Sequence, residues 1–401
     1  MKLNVWTTIG RRKMTARAVP TQMGVPLQSL AGIRVLPALL IFLAHALQYR
    51  VFRDDNLHLA TTQIFNKVGY ESVSFFIVLS GFIITWVASR QRVNGEFIAR
   101  RFLKIVPSHV ILWGICLVVL GWPGLLPAIA NLVLVHGWVP NDSYFFSLNV
   151  PAWTLCVEVL FYGTFPLVLP WITRRSTKLL WILGTALATV VILLPWVLSI
   201  FPDGRTLSEP AFLTGADQVD VSQWKFWLVY LFPPIRLIEC VIGAIVCTIF
   251  MRRSWPTVSP YLVAILTVLA IVYATLWAPF LVALTSLTLV PIVLIVAGIA
   301  NAEWRLGRSH AWLSPVATLA PFTFSFYLVQ WPIITVWTKY VRPADGYELW
   351  GALGALCMLF VVATSMAYSL HRLIERPVVH IARGFLGRRR ARNRNPQTRS
   401  T

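Results

Sequence analysis

Charge is what this sequence has least of. Asp, Glu, Lys and Arg make up 12% of its 401 residues, about half the share of a soluble domain. A water-soluble globule of this length is therefore excluded. Cysteine is also scarce: Cys116, Cys156, Cys240, Cys247 and Cys357 all fall inside apolar runs. They offer neither a disulfide framework nor a zinc-ligand spacing, so no metal is expected. No internal repeat period is evident, no soluble domain interrupts the apolar runs, and the first of them lacks a cleavage site, so a removable signal peptide is not expected.

What is present is 57% hydrophobic residues, gathered in runs of about 20, the length that crosses a bilayer core as a helix. Ten spans are predicted, near 30–49, 70–89, 105–121, 150–172, 179–201, 226–250, 260–277, 279–299, 315–338 and 349–371. The fold class expected is an all-α polytopic transmembrane bundle. Three parts are predicted: a basic cytoplasmic segment (1–26), one transmembrane domain (27–380) and a basic disordered tail (381–401). A short apolar piece within 122–149 reads as a re-entrant or interfacial helix. Counting it as a full span would invert every later loop.

The net charge of +20 is explained by topology. Alternate connecting segments carry 26 of the 35 lysines and arginines, while Glu96, Glu303 and Glu375 are the acidic residues on that side. Basic segments stay in the cytoplasm, so both termini are expected inside a multi-pass cell-membrane protein. Anionic headgroups are the expected partner of this charge, and nucleic acid is not.

Arg34, His45, Glu158, Arg236 and Glu239 are the ionisable residues expected within the membrane, where charge is costly and marks function by default. Arg236 and Glu239 stand three apart and can neutralise each other on one helix face. In "LAGIRVLPALLIFLAHA" (30–46), eleven positions separate Arg34 from His45, about 16 Å along a continuous helix and just over three turns. Both would share one helix side at different depths. Arg34 can grip a phosphate as a planar fork or snorkel to headgroups. His45 can act as a general base on a hydroxyl or make a buried hydrogen bond.

Five further segments join this one: "VSFFIVLSGFIIT" (73–85), "RRFLKIVPSH" (100–109), "NVPAWTLCVEVLFYGTFPLVL" (149–169), "RLIECVIGAIV" (236–246) and "FSFYLVQWPII" (324–334), with "RLIERPV" (372–378) at the end. In this order they resemble the acyltransferase-3 family of bacterial integral-membrane O-acyltransferases across nearly all of 27–380. Arg34 and His45 fit its hallmark of an Arg and a His separated by ten residues. Ser80, Gly81 and Phe82 match its Ser-Gly-Phe end, and Trp153, Thr154, Leu155 and Glu158 its Trp-(Ser/Thr)-Leu-x-x-Glu segment. Three departures stand out. Ala31 lies where an acid is usual, Gln330 where many members have His, and a fused extracytoplasmic esterase-like domain found in some members is not in this sequence.

The resemblance implies transfer of an acyl group, often acetyl from cytosolic acetyl-CoA, to a hydroxyl of an extracytoplasmic carbohydrate or glycolipid. The donor is a substrate, and no permanently bound cofactor is implied. Arg34, with Arg100, Arg101 and Lys104, would hold CoA phosphates, and His45 would deprotonate the acceptor. Glu158 would orient His45 or pack as a structural partner. Ser80 and Tyr162 would donate to the thioester oxygen, although small residues such as Ser80 are normal at helix contacts. Trp153 would stack on a sugar or anchor a span's end. Arg236 and Glu239 would support the site. Direct transfer and an acyl-histidine intermediate both fit. Exopolysaccharide, O-antigen, a glycolipid or a macrolide-like metabolite would suit as acceptor, with polysaccharide-export machinery as a candidate partner. A flippase of lipid-linked sugars is the rival from another class.

Overall fold

The computed structural model describes residues 27–91, 93–207, 220–285, 287–307 and 316–381. The segment 1–26 and the tail beyond Ile381 lie outside the described residues. The helices used below are α1 (Gln28–Gly32), α2 (Val35–Leu47), α3 (Asp55–Ala88), α4 (Gly95–Leu120), α5 (Leu125–Leu132), α6 (Trp153–Thr173), α7 (Thr177–Leu198), α8 (Pro233–Met251), α9 (Pro260–Leu276), α10 (Leu289–Leu306), α11 (Thr323–Tyr340) and α12 (Leu349–Leu370). Nine helical runs among the described residues are long and apolar enough to cross a membrane, and α9, at 17 residues, is a tenth apolar helix. The chain is thus an all-α, multi-pass membrane protein. The piece within 122–149 is α5, eight residues long, about 12 Å and too short to span.

Several expected boundaries move, each for a local reason. The first span is not one unbroken helix. Pro37 has no N–H to offer the carbonyl of Ile33 and its ring crowds that carbonyl. The chain accordingly turns at Ile33 and Arg34 between α1 and α2, which places Pro37 in the first turn of α2, where proline is tolerated. The second span was expected over 70–89, but α3 runs 34 residues from Asp55, about 51 Å, well beyond a ~30 Å hydrocarbon core. Its first half escapes a hydropathy scan because polar side chains, Thr62 and Asn66, are among those it buries. Asp54 starts it by accepting from the Leu57 N–H at 2.7 Å, satisfying a first-turn donor. The eighth span was expected at 279–299 and lies at α10 instead. A helix through 279–299 would hold Pro291 in its interior, whereas in α10 Pro291 falls in the first turn.

Two acids taken from the sequence as loop residues prove to be buried. Glu303, near the end of α10, accepts from the backbone N–H groups of Gln28 (2.9 Å) and Ser29 (3.1 Å). It caps α1 from across the bundle, where a helix N-terminus favours a carboxylate. Glu375 follows α12, in a π-helical turn over His371–Glu375. It accepts from Ser108 Oγ of α4 (3.1 Å) and Ser325 Oγ of α11 (2.7 Å), and pairs with His371 Nδ1 at 2.7 Å. One carboxylate thus ties three helices together.

The bundle's centre is the close contact of α3 with α8. A Cβ at Gly81 would lie 1.9 Å from the Cys240 carbonyl oxygen, and one at Gly243 would lie 2.0 Å from that of Val78. Small residues let membrane helices approach this closely, which gives Gly81 of the Ser-Gly-Phe segment a packing role. Gly243→Ala is expected to destabilise the protein by about 1–3 kcal/mol through overpacking, read as a lower thermal midpoint in detergent. Gly298→Ala is the control, since its Cβ would meet nothing within 4 Å. Equal midpoints for the two variants would show that the α3–α8 contact yields without cost.

Candidate active site: two cavities that share a wall

Two cavities lie between the central helices. The first is basic. Arg34 enters it from the turn before α2, Ser80 from α3, Arg101 and Lys104 from α4, and Glu158 and Tyr162 from α6. Arg34 is only partly buried, and its Nε has no hydrogen-bond partner among the described residues. Arg101 stands 5.1 Å from the Phe97 ring centroid and Lys104 5.5 Å from that of Phe324, so aromatic faces hold both cations in place. The Tyr162 hydroxyl donates to Glu158 Oε2 at 3.0 Å. That i,i+4 pair sets a hydrogen-bonded carboxylate opposite three cations.

The second cavity is aromatic. His45 of α2 and Gln48, just past its end, line it with Tyr70, Trp153, Tyr230 and Trp331. Trp331 meets the imidazole edge to face, with centroids 5.2 Å apart. Tyr230 stands 5.0 Å from both Tyr70 and Trp153. Against these apolar rings, His45 Nδ1 and Gln48 Nε2 have no hydrogen-bond partner among the described residues. Buried polar atoms are normally paired, so two orphaned ones on residues that line a cavity mark a place for a polar ligand.

Val73 and Tyr327 line both cavities. The Tyr327 hydroxyl donates to the Pro151 carbonyl at 3.1 Å, which fixes the ring across the boundary. On α6 the boundary falls between neighbours: Trp153 faces the aromatic cavity and Thr154 the basic one.

The expected site residues therefore separate into groups. Arg34, Arg101, Lys104, Ser80, Glu158 and Tyr162 come together in one cavity, and His45 and Trp153 in the other. Arg34 and His45 do not face one common space. The expected contact of Glu158 with His45 is not among the described contacts, because the two side chains line different cavities. Arg100 does not line the basic cavity: it is held by Glu96 at 2.7 Å and Gln91 at 3.1 Å. Arg236 and Glu239 line neither cavity. They form a fully buried pair at 2.5 Å, with Arg236 also donating to Ser74 Oγ at 3.1 Å. The guanidinium stands 5.1 Å from the Tyr230 ring centroid and 5.8 Å from that of Trp153, so it backs the aromatic wall.

Sequence reasoning passed over Tyr70, Tyr230, Tyr327 and Trp331, because an aromatic residue in an apolar run carries no signal separating cavity lining from lipid contact. Glu375 did have one: it lies in "RLIERPV", a quoted segment. Among the described residues no group of His, Cys, Asp and Glu could hold a metal ion.

No solved structure is significantly similar to the chain. Among curated proteins, "Acyltransferase MdmB" of Streptomyces mycarofaciens is 30% identical over 383 residues, covering 91% of this chain and 94% of that protein. "Peptidoglycan O-acetyltransferase OatA" of Listeria monocytogenes is 24% identical over 341 residues, 78% of this chain but 51% of the longer relative. "Exopolysaccharide production protein ExoZ" of Rhizobium meliloti is 30% identical over 193 residues, covering 44% of this chain and 58% of that protein. The family model described as an acyltransferase domain matches residues 27–372, a stretch that contains both cavities. With the motifs, the helical bundle and the relatives in agreement, the chain belongs to the acyltransferase-3 family of membrane acyltransferases.

Proposed function

We propose that the protein moves an acyl group, acetyl in the first instance, from cytosolic acyl-CoA to a hydroxyl of a surface or exported carbohydrate. The observation that carries this is the pair of cavities meeting at Val73 and Tyr327, one basic and one lined by an imidazole whose Nδ1 has no hydrogen-bond partner among the described residues. A thioester with a phosphate-bearing carrier fits the basic side. A sugar fits the aromatic side, where Trp153 and Tyr230 offer faces for stacking and Gln48 a hydrogen bond. With both termini in the cytoplasm, as the charge bias supports, the basic cavity opens inward and the aromatic one outward. The relatives acting on peptidoglycan and in exopolysaccharide production agree with an envelope carbohydrate as acceptor.

In this reading His45 takes the proton of the acceptor hydroxyl as its oxygen attacks the thioester carbonyl carbon. The carbon–sulfur bond then breaks, and the thiolate recovers the proton from the imidazolium to leave as free CoA. Arg34, Arg101 and Lys104 hold the donor by its anionic and carbonyl oxygens. The Tyr162 hydroxyl is already committed to Glu158, so Ser80 is the freer donor to the thioester oxygen. Glu158 balances the three cations and keeps Tyr162 oriented. Arg236, through Tyr230 and Trp153, positions the acceptor wall.

Membranes incubated with labelled acetyl-CoA should pass label into extracted polysaccharide or glycolipid. Sugar translocation without label would favour a flippase. An Arg34→Lys variant keeps the charge and loses the planar fork, so its KM for acetyl-CoA should rise about tenfold, the equivalent of 1.4 kcal/mol, with kcat less affected. An unchanged KM would take donor binding away from Arg34.

A further inference from the structure

Lys104 lines a second space besides the basic cavity. A groove is bordered by Lys104, His371, Arg372, Glu375, Arg376 and His380. Arg372 and Arg376 are exposed, and neither makes an ion pair among the described residues; Arg372 donates to the Tyr368 hydroxyl at 3.0 Å. The one carboxylate among the described residues that border it, Glu375, is buried and turned inward onto Ser108, Ser325 and His371. The surface left to a ligand is therefore cationic. Its shape comes from the π-helical turn at His371–Glu375, a local widening that recurs at functional sites. It sends Glu375 into the bundle while Arg372 and Arg376, four residues apart, stay outside.

We propose that this groove binds the phosphate esters at the nucleotide end of the donor, whose acyl-bearing arm runs past Lys104 into the basic cavity. The proposal rests on the acyl-CoA reading above and adds a site to it. Two planar guanidinium forks and an ammonium form a set that chelates clustered phosphate oxygens. The phosphate of an anionic lipid headgroup offers the same chemistry, and the test separates the two sources.

The test compares the wild type with Arg372→Gln/Arg376→Gln, both reconstituted in phosphatidylcholine nanodiscs. Transfer is measured from acetyl-CoA and from acetyl-pantetheine, which carries the thioester but no phosphate. The double variant is expected to raise KM for acetyl-CoA about 10- to 100-fold and to leave KM for acetyl-pantetheine within twofold. Equal increases for both donors would overturn the proposal, as would no increase for either. Binding of adenosine 3′,5′-bisphosphate is measured separately, without turnover, and should be lost in the double variant. If both proteins bind it equally, the groove is not its site. If the wild type binds it, the variant does not, and neither transfers acetyl, the groove stands and the acyl-transfer reading fails. Repeating the binding in phosphatidylglycerol nanodiscs reads the lipid alternative: strong competition there, with no bisphosphate binding in phosphatidylcholine, would assign the groove to headgroups and overturn the proposal.

Discussion

Replacing His45 by alanine is expected to lower acyl transfer by about 10²–10⁴-fold, the range that a positioned general base supplies, while the protein still inserts and folds. Both halves of this expectation come from the same geometry. The imidazole faces a cavity, and its Nδ1 bonds to no described residue. Removing it therefore orphans no hydrogen-bond partner of that nitrogen among the described residues, and the packing lost includes an edge contact with Trp331. Tightly folded variant protein with almost no transfer would mark the residue as chemical rather than structural. A rate within threefold of wild type, measured on equal amounts of inserted protein, would remove His45 from the mechanism.

The largest loss of stability is expected from Arg236→Ala. It leaves Glu239 with an uncompensated charge in a fully buried position, an imbalance that costs about 3–5 kcal/mol when one partner of a buried pair is removed. It also withdraws a cation from the faces of Tyr230 and Trp153. A well-packed apolar replacement of both partners is often neutral, so Arg236→Met/Glu239→Leu should recover most of the lost thermal midpoint in detergent. It should not recover acceptor KM in full, because the aromatic wall stays unbacked. If the single variant melts with the wild type, the pair is dispensable to the fold.

Several features of the site were legible in the sequence for reasons that physics supplies. The three-residue spacing of Arg236 and Glu239 places them on one helix face, and the structure pairs them. The clustering of basic residues near 100–104 marked one end of the bundle, though it could not tell Arg101 and Lys104, which line the cavity, from Arg100, which Glu96 holds. The shared side expected of Arg34 and His45 presumed an unbroken helix. Pro37 was visible within that span, and its clash with the Ile33 carbonyl was the available sign of a break. Tyr327 is different in kind. Its role depends on a contact with Pro151, 176 positions away, and no local pattern encodes that. Glu303 likewise read as a loop acid because its partners, the first N–H groups of α1, lie at the far end of the chain.

The wall formed by Val73 and Tyr327 carries a consequence for the cell as a whole. With the cavities opening to opposite compartments, as proposed, Val73 and Tyr327 stand between cytosol and exterior as the side chains that line both spaces. A protein built this way has to stay proton-tight while a thioester arm comes and goes beside the same two residues. Variants that breach this wall would then harm the cell by dissipating its electrochemical gradient, a toxicity present even where no acceptor is made.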